Sequence, residues 1–456
     1  MSILSALFNN QVSVEQALRA RDITTGPMKK AIQEWFSLYF DTVPAKEEDP
    51  CQRIPYVVVN KLTKTTFSEY TAAVEDDFLS GCLERLEKVR KKVMQFALIG
   101  GDCYIKPVLT RGGFNFVPVR RDCYLVLARN EEGEATSIGT AEYTASGGKY
   151  YTLLEKRTVD ESGYLTIENR LFRSEDKSIL GAEIPLGALP QYAALEPAVT
   201  LSEPLNGLGM ALLKTPMVNC VDGSDDSVSV YAPATGLIHN INRNEAQING
   251  EFERGQSRII ASADMMELDE SGERRRLVDN VFTAIDDAPD EVGITIFSPA
   301  LREQSFLARK TEYLRNVESQ IGLKRGILSE VEAAERTATE ITSSEGDYNL
   351  TIIDFQQAWE AALRESMRIC CTLGYLYKLC PGKEFDPDTL TIDWGNGVLY
   401  DRDKAWAERK EMVAAGLLKP ELALAWYFNL PCKTPSDLMK VRRDYMPEIE
   451  AMTGGD

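Results

Sequence analysis

His239 is the only histidine in the 456-residue chain, so a Ser-His-Asp or Cys-His nucleophile system would have to be built on it. It lies beside Ile238 and close to Ile241 in a segment with helical spacing, which predicts a packed or snorkelling ring rather than a general base. No G-x-S-x-G elbow supports a nucleophile. The stretch NGLGMALLKTP, Asn206 to Pro216, has the Lys-Thr of a phosphate loop, but Leu208 and Leu213 stand where the two glycines must be. Without them the backbone cannot curl its N–H groups around a phosphate. Two carboxylate runs, Asp222, Asp225 and Asp226, then Asp286, Asp287 and Asp290, offer charge to a divalent cation but lack the D-x-[DN]-x-[DN]-G spacing of a calcium loop. They read as solvated loop faces. Zinc motifs of the H-E-x-x-H or C-x-x-C kind are absent. The expectation is no catalytic residue, no metal and no cofactor: a chain that works by shape and is not an enzyme.

The chain carries 70 Asp and Glu against 51 Lys and Arg, a formal net charge of -19. Gripping nucleic acid over a whole surface needs phosphates neutralised by cations. This balance excludes such a protein, though not one that lets nucleic acid pass. With 44% hydrophobic and 27% charged residues, the chain is ordinary globular protein, long enough for two or three packed units. Nine cysteines, Cys51, Cys82, Cys103, Cys123, Cys220, Cys370, Cys371, Cys380 and Cys432, are odd in number and mostly sit in apolar surroundings. They read as buried free thiols of a reducing compartment. The segment MSILSALFNNQ lacks a basic n-region, and no run approaches the length of a membrane span. Both points favour a cytoplasmic product with no membrane partner.

Two periodicities organise the chain. MKKAIQEWFSLYF sets Met28, Ile32, Trp35, Phe36 and Tyr39 on one helical face, and a second helix is predicted from about Glu75 to Leu98, leading into Gly100 and Gly101. The period then becomes two: CYIKPVLT, GFNFVPV, CYLVLAR, SIGTAEYTA, YYTLLEKR and YLTIENRLF predict an antiparallel meander over 102–173. Helix returns with Leu237, Ile241, Ile248 and Phe252 on one stripe and Gly255 as its stop. SRIIAS and VGITIF are β-like pieces around a charged middle. Another helix opens at Ser298 and Pro299 and closes at Gly322, aligning Leu307, Leu314, Val317 and Ile321. A long helix starts near Asp347 and runs to Pro381, with Ile352, Phe355, Trp359, Leu363, Met367 and Cys370 at helical spacing. The fold class is α+β. Between the last two helices lies ERTATEITSSEGDY, Glu335 to Tyr348, a Thr/Ser-rich interval that reads either as a plain surface connection or as a loop projecting away from any core.

In their order and spacing these pieces resemble the portal proteins of tailed double-stranded DNA bacteriophages, of the long-tailed siphovirus type. MKKAIQEWFSLYF resembles the family's early helix, FALIGGDCYIKP the helix end followed by Gly-Gly and a strand, and YYTLLEKR with YLTIENRLF the wing strands. GLKRGILSE followed by AERTATEITSSEGDYNLTI resembles the most recognisable signature, and IDWGNGVLYDRDK with MVAAGLLKPELAL the crown-proximal part. The segment from Val221 to Asn244 matches only loosely, and Arg274, Arg275 and Arg276 match no family pattern.

The resemblance implies a portal fold with long stem and wing helices, an antiparallel β wing region, a small α/β clip and a helical crown-proximal C-terminus. The wing would take residues 1–221, the first stem helix 222–254, the clip 255–298 and the second stem helix 299–321. A tunnel loop would follow at 322–346, then the long wing helix and return strand at 347–400 and the crown-proximal helices at 401–456. About twelve copies would close into a ring at one capsid vertex, the channel for DNA packaging and ejection. Its partners would be its own copies, double-stranded DNA, the terminase large subunit, the head–tail adaptor, and the major capsid and scaffolding proteins. It would reside in the virion, and in host cytoplasm during assembly. A head-assembly or head–tail joining protein without a channel is the alternative; a nucleotide-using enzyme is a weaker one.

Within this frame Lys324, Arg325, Arg336, Thr337, Thr339 and Glu340 would face the channel. The loop's cations Lys324, Arg325 and Arg336 are outnumbered by Glu330, Glu332, Glu335, Glu340 and Glu345, and 255–298 holds four arginines against ten Asp and Glu. Such a wall would centre DNA through transient contacts, where a uniformly basic one would trap it. Arg336 would either touch DNA or pair with a glutamate of a neighbouring subunit. Arg274, Arg275 and Arg276 would either face terminase or adaptor or pair with clip carboxylates of the adjacent subunit. Leu237, Ile241, Leu314 and Val317 would pack neighbouring stem helices together.

Overall fold

Apolar residues at helical spacing build the N-terminal part. In the computed structural model, α1 (Gln11–Leu18) precedes α2 (Gly26–Phe40), which buries Met28, Ile32, Trp35, Phe36 and Tyr39 as its stripe predicts. The structure describes residues 11–40, 50–110, 113–254, 258–260, 266–268, 275–277, 295–297, 300–329, 338–382, 384–395, 402–428, 430, 432 and 435–446. Next comes α3 (Ile54–Thr66), a segment without a sequence assignment that carries the β-branched run Val57, Val58 and Val59. Helix wins because Val58, Val59, Leu62 and Thr66 fall on one face and are buried there. A short strand β1 (Thr71–Val74) leads to α4 (Asp77–Gly100), which is capped by Asp76, whose carboxylate accepts the Leu79 N–H at 2.8 Å. The helix stops at the glycine pair. Gly101 has φ +94, and a Cβ there would lie 2.5 Å from the Ser227 backbone. This close crossing lets the Val230 N–H reach the Leu98 carbonyl at 3.0 Å.

The expected meander is present but falls into two sheets. Its strands are β2 (Asp102–Thr110), β3 (Gly113–Arg120), β4 (Tyr124–Arg129), β5 (Ala135–Ser146), β6 (Lys149–Val159) and β7 (Leu165–Ser174). They are followed by β8 (Ala182–Ile184), β9 (Ala198–Thr200) and β10 (Ala211–Lys214). One antiparallel sheet has the order β10–β2–β3; the other runs β4–β5–β6–β7–β8, with β9 added to β7. The failed phosphate loop is thus a strand: residues 211–214 pair with 102–105, and the Thr215 hydroxyl bonds to the Val228 carbonyl at 2.7 Å.

The two sheets divide at a single helical turn, Arg121–Cys123, held by a buried charge. Arg121 is 1% exposed. Its guanidinium lies 4.7 Å from the Tyr124 ring centre and donates to Thr24 Oγ1 at 3.0 Å, to the Tyr124 carbonyl at 3.3 Å and to Asp226 Oδ1 at 3.2 Å. Arg129 reaches the same Asp226 oxygen at 2.7 Å. Asp222 in turn accepts from Thr25, Asn219 and the Ser224 backbone. Asp226 is therefore buried in an ion-pair network, whereas Asp222 and Asp225 lie exposed in the loop as expected, and among the described residues no group of His, Cys, Asp and Glu could hold a metal ion. Asp286, Asp287 and Asp290 lie outside the described residues. The sheets are bridged again by Glu155 on β6, which takes Lys106 of β2 at 2.7 Å and Arg157 at 2.6 Å.

Helix α5 (Thr235–Arg254) and helix α6 (Glu303–Ile321) flank four short strands, β11 (Arg258–Ile260), β12 (Met266–Leu268), β13 (Arg275–Leu277) and β14 (Thr295–Phe297). The two β-like pieces pair as β11 with β14, and the charged middle supplies β12 with β13, both antiparallel. Helix α7 (Ala338–Leu376) begins well before the expected Asp347 and ends before Pro381. No proline interrupts it, and extending a formed helix costs far less than nucleating one, so the Thr/Ser-rich residues 338–346 join it. A return strand β15 (Leu390–Asp393) pairs antiparallel with β1. Helices α8 (Arg402–Ala414), α9 (Pro420–Tyr427) and α10 (Pro435–Tyr445) follow.

One large core joins α2–α7 and the β10–β2–β3 sheet, with Trp35, Tyr231 and Trp359 among its largest buried side chains. Their polar tips are satisfied: Tyr231 Oη donates to the Trp35 carbonyl at 2.8 Å, and Trp359 Nε1 to Tyr70 Oη at 3.1 Å. A second core packs Val14 and Leu18 of α1 on Leu125, Leu154 and Phe172 of the larger sheet. All nine cysteines are unpaired; burial fails for Cys220 and Cys432, which lie exposed in connections rather than on helices or strands. No described helix is long and apolar enough to cross a membrane.

Candidate functional site

The turn after α6 is built from the sequence GLKRGILS. Gly322 closes the helix at φ +74, with its own N–H on the Ser319 carbonyl at 3.4 Å and the Leu323 N–H on the Glu318 carbonyl at 2.8 Å. A Cβ on Gly322 would meet Thr351 Oγ1 of α7 at 2.6 Å, so the turn is seated tightly against the long helix. The next residues are organised by one carboxylate. Glu318 has no solvent exposure, and its Oε1 accepts the backbone N–H groups of Gly326 at 3.1 Å, Leu328 at 2.6 Å and Ser329 at 2.9 Å. Its Oε2 accepts the Ser329 hydroxyl at 2.8 Å. Hydrogen bonds to an ionised acceptor are stronger than neutral ones, and four of them fix the turn's shape. On this turn Lys324 stands half-buried and Arg325 exposed.

The helices on either side of residues 255–298 are zipped by polar side chains in antiparallel register. Arg302 makes a two-pronged contact with Glu251 at 3.0 and 2.8 Å, Asn244 donates to the Phe306 carbonyl at 3.1 Å, and Lys310 pairs with Glu245 at 2.7 Å. The Arg302–Glu251 fork closes the base of the insertion. His239 links α5 to α2 at the surface, its Nε2 2.6 Å from Glu34 Oε1, with its tip turned outward as a snorkelling ring.

The expected site residues separate into groups. Lys324 and Arg325 share the Glu318-held turn. Arg336 and Thr337 lie outside the described residues, while Thr339 and Glu340 fall on the first turn of α7. The loop expected over 322–346 is therefore corrected to helix from Ala338 onward. Arg274 lies outside the described residues; Arg275 and Arg276 are on β13, whose register sets Arg276 opposite Glu267 of β12. Of the four apolar residues assigned to packing between subunits, Ile241 and Val317 are 0% exposed inside the chain's own core, where a neighbouring copy cannot reach them. Leu237 and Leu314 are half-buried at its edge.

Glu318 and Arg121 were missed by sequence reasoning. For Glu318 a signal exists: it falls among Leu314, Val317 and Ile321 on the buried stripe of α6, a charge where an apolar residue belongs. For Arg121 the partner Asp226 is far along the chain, and no local pattern marks it.

A family model described as "Phage portal protein, SPP1 Gp6-like" matches residues 56–434. No curated protein matches the chain. Among solved structures, similarity is found to "Neck of native GTA particle computed with C12 symmetry", at 12% identity and TM-score 0.49, covering 92% of this chain and 98% of that one. It is found also to "Neck of empty GTA particle computed with C6 symmetry", at 13% identity and TM-score 0.47, covering 88% and 94%.

Proposed function

The chain belongs to the SPP1 Gp6-like family of phage portal proteins, and from that membership we propose that its copies close into a ring of about twelve at one vertex of a phage capsid. Double-stranded DNA is packaged and later ejected through the axial channel. The family is structural, not enzymatic. The single observation that carries the reading is the match over 56–434; in this reading α5 and α6 are the stem helices, 255–298 the clip, and the turn after α6 opens the tunnel segment.

The chemistry of the turn supports a place at the channel. DNA that must slide needs cations at fixed positions and few of them, because every added phosphate contact deepens the trap and its salt dependence. Arg325 meets that need: exposed, on a turn pinned by Glu318, in a chain of net charge -19. Lys324 beside it, then Arg336, Thr337, Thr339 and Glu340, extend the lining. At the clip, Arg274, Arg275 and Arg276 face the terminase large subunit or the head–tail adaptor, or pair with carboxylates of the adjacent copy. Leu237 and Leu314 offer apolar edge to the neighbouring stem, and the wing meets the major capsid and scaffolding proteins.

Capsids assembled without this chain test the reading. Adding the wild-type chain during assembly restores DNA filling, and Arg325→Glu gives particles that carry the portal but fill poorly. Wild-type chain that incorporates without restoring filling refutes the proposal.

A further inference from the structure

Helix α7 ends in a turn that folds the chain back on itself. The Leu379 N–H bonds to the Gly374 carbonyl at 2.7 Å and the Lys378 N–H to the Tyr375 carbonyl at 3.0 Å, with Lys378 in the left-handed region at φ +58. The reversal brings Cys380 onto Cys371, about two and a half turns earlier in the helix. Both thiols converge on one acceptor: Cys371 Sγ is 3.5 Å and Cys380 Sγ 3.3 Å from the Gly382 carbonyl oxygen. Cys380 Sγ is also 3.5 Å from the Cys371 carbonyl oxygen. Cys371 is 7% exposed and Cys380 half-buried, so a small oxidant has one accessible sulfur to meet. A second pair, Cys82 with Cys370, lies deeper, both at 0% exposure. The four thiols do not converge on a common point that could hold a metal ion.

We propose that Cys371 and Cys380 are a disulfide-forming pair that closes after the assembled particle leaves the reducing cytoplasm, stapling the end of α7 to the segment that leads into β15. The particle setting rests on the portal reading; the thiol chemistry does not. The oxidant is a low-molecular-weight disulfide. The Cys380 thiolate attacks one of its sulfurs, forming a mixed disulfide and releasing one thiolate. The Cys371 thiolate then attacks Cys380 Sγ and displaces the second thiol, so that two protons leave the cysteines and two electrons pass to the oxidant. Burial first, then the partner thiol and the Asp76 carboxylate at the N-cap of α4, push Cys371 up to about 11, and burial with Asp76 raises Cys380 also. Thiolate is therefore scarce near neutrality, and the pair stays open through cytoplasmic assembly and closes slowly afterwards. Because β15 pairs with β1, the staple secures the return path of the chain.

The test uses the full-length protein carrying Cys220→Ser and Cys432→Ser, which removes the exposed thiols that would link separate chains. It is treated with oxidised glutathione and mapped by mass spectrometry after alkylation. The expected result is a linked peptide joining Cys371 to Cys380, loss of two alkylatable thiols, and a Tm higher by a few degrees. Dithiothreitol reverses the rise, and adding Cys380→Ser abolishes it while leaving the unoxidised Tm unchanged. The proposal is overturned by no intramolecular disulfide, by a Cys82–Cys370 link with Cys371 and Cys380 still free, or by an oxidised chain whose Tm does not rise.

Discussion

Glu318, with no solvent exposure, holds the Leu328 backbone N–H at 2.6 Å, and through this contact helix α6 sets the conformation of the turn that follows it. Glu318→Ala leaves the Ser329 N–H and hydroxyl buried without an acceptor, while water can reach Gly326. The expected loss of stability is about 3 kcal/mol, read by urea denaturation, and Glu318→Gln, which keeps one acceptor oxygen, should lose roughly half of it.

Arg325 is a different case. Its exposure means that Arg325→Ala should change stability by less than about 0.5 kcal/mol, while DNA filling of capsids carrying the variant falls. A variant that unfolds easily, or one that fills normally, would separate Arg325 from the channel.

Removing Arg121 strands Asp226 with Arg129 alone and empties the space over Tyr124. Arg121→Met should lower stability by about 2 kcal/mol, because the buried Thr24 hydroxyl and Tyr124 carbonyl lose their donor and Asp226 keeps only one of its two cations. Thermal unfolding checks this.

The strands from 102 to 174 were legible because each alternates and ends at turn residues, and because antiparallel neighbours are also neighbours in sequence. Their division into two sheets was not, since it depends on Arg121 meeting Thr24 and Asp226. The stop of α6 at Gly322 was legible from its glycine, whereas the start of α7 was not. Thr and Ser weaken a helix locally without preventing its extension. Strand β10 was hidden inside a sequence that invited a phosphate-loop comparison; its partner β2 lies about a hundred residues earlier. Lys324 and Arg325 were legible as candidate channel residues only through the family resemblance, and the carboxylate that shapes their turn was marked only by its place on the apolar stripe of α6.

Burial alone would raise the Glu155 carboxyl, but Arg157 and Lys106 beside it hold it down to about 2. A carboxylate held below its unfolded value of 4.5 contributes stability that is complete above that value and is lost as pH falls towards 2. Urea midpoints measured across that window should fall, and Glu155→Gln should flatten this part of the slope while costing stability at neutral pH.

Lys378 holds a left-handed backbone, φ +58, that a side chain disfavours. Lys378→Gly should raise stability by about 1 kcal/mol, visible as a higher Tm, and leave the Cys371–Cys380 approach intact.

Cryo-electron microscopy of the purified full-length protein, with its mass measured in solution, tests the portal account most directly. The predicted result is closed rings of about twelve 50.9 kDa chains, with α5 and α6 surrounding an axial channel and the Glu318-held turn carrying Arg325 into it. Rings that put that turn on the outer wall, or a protein that remains a monomer or dimer and leaves capsids unfilled, would contradict it.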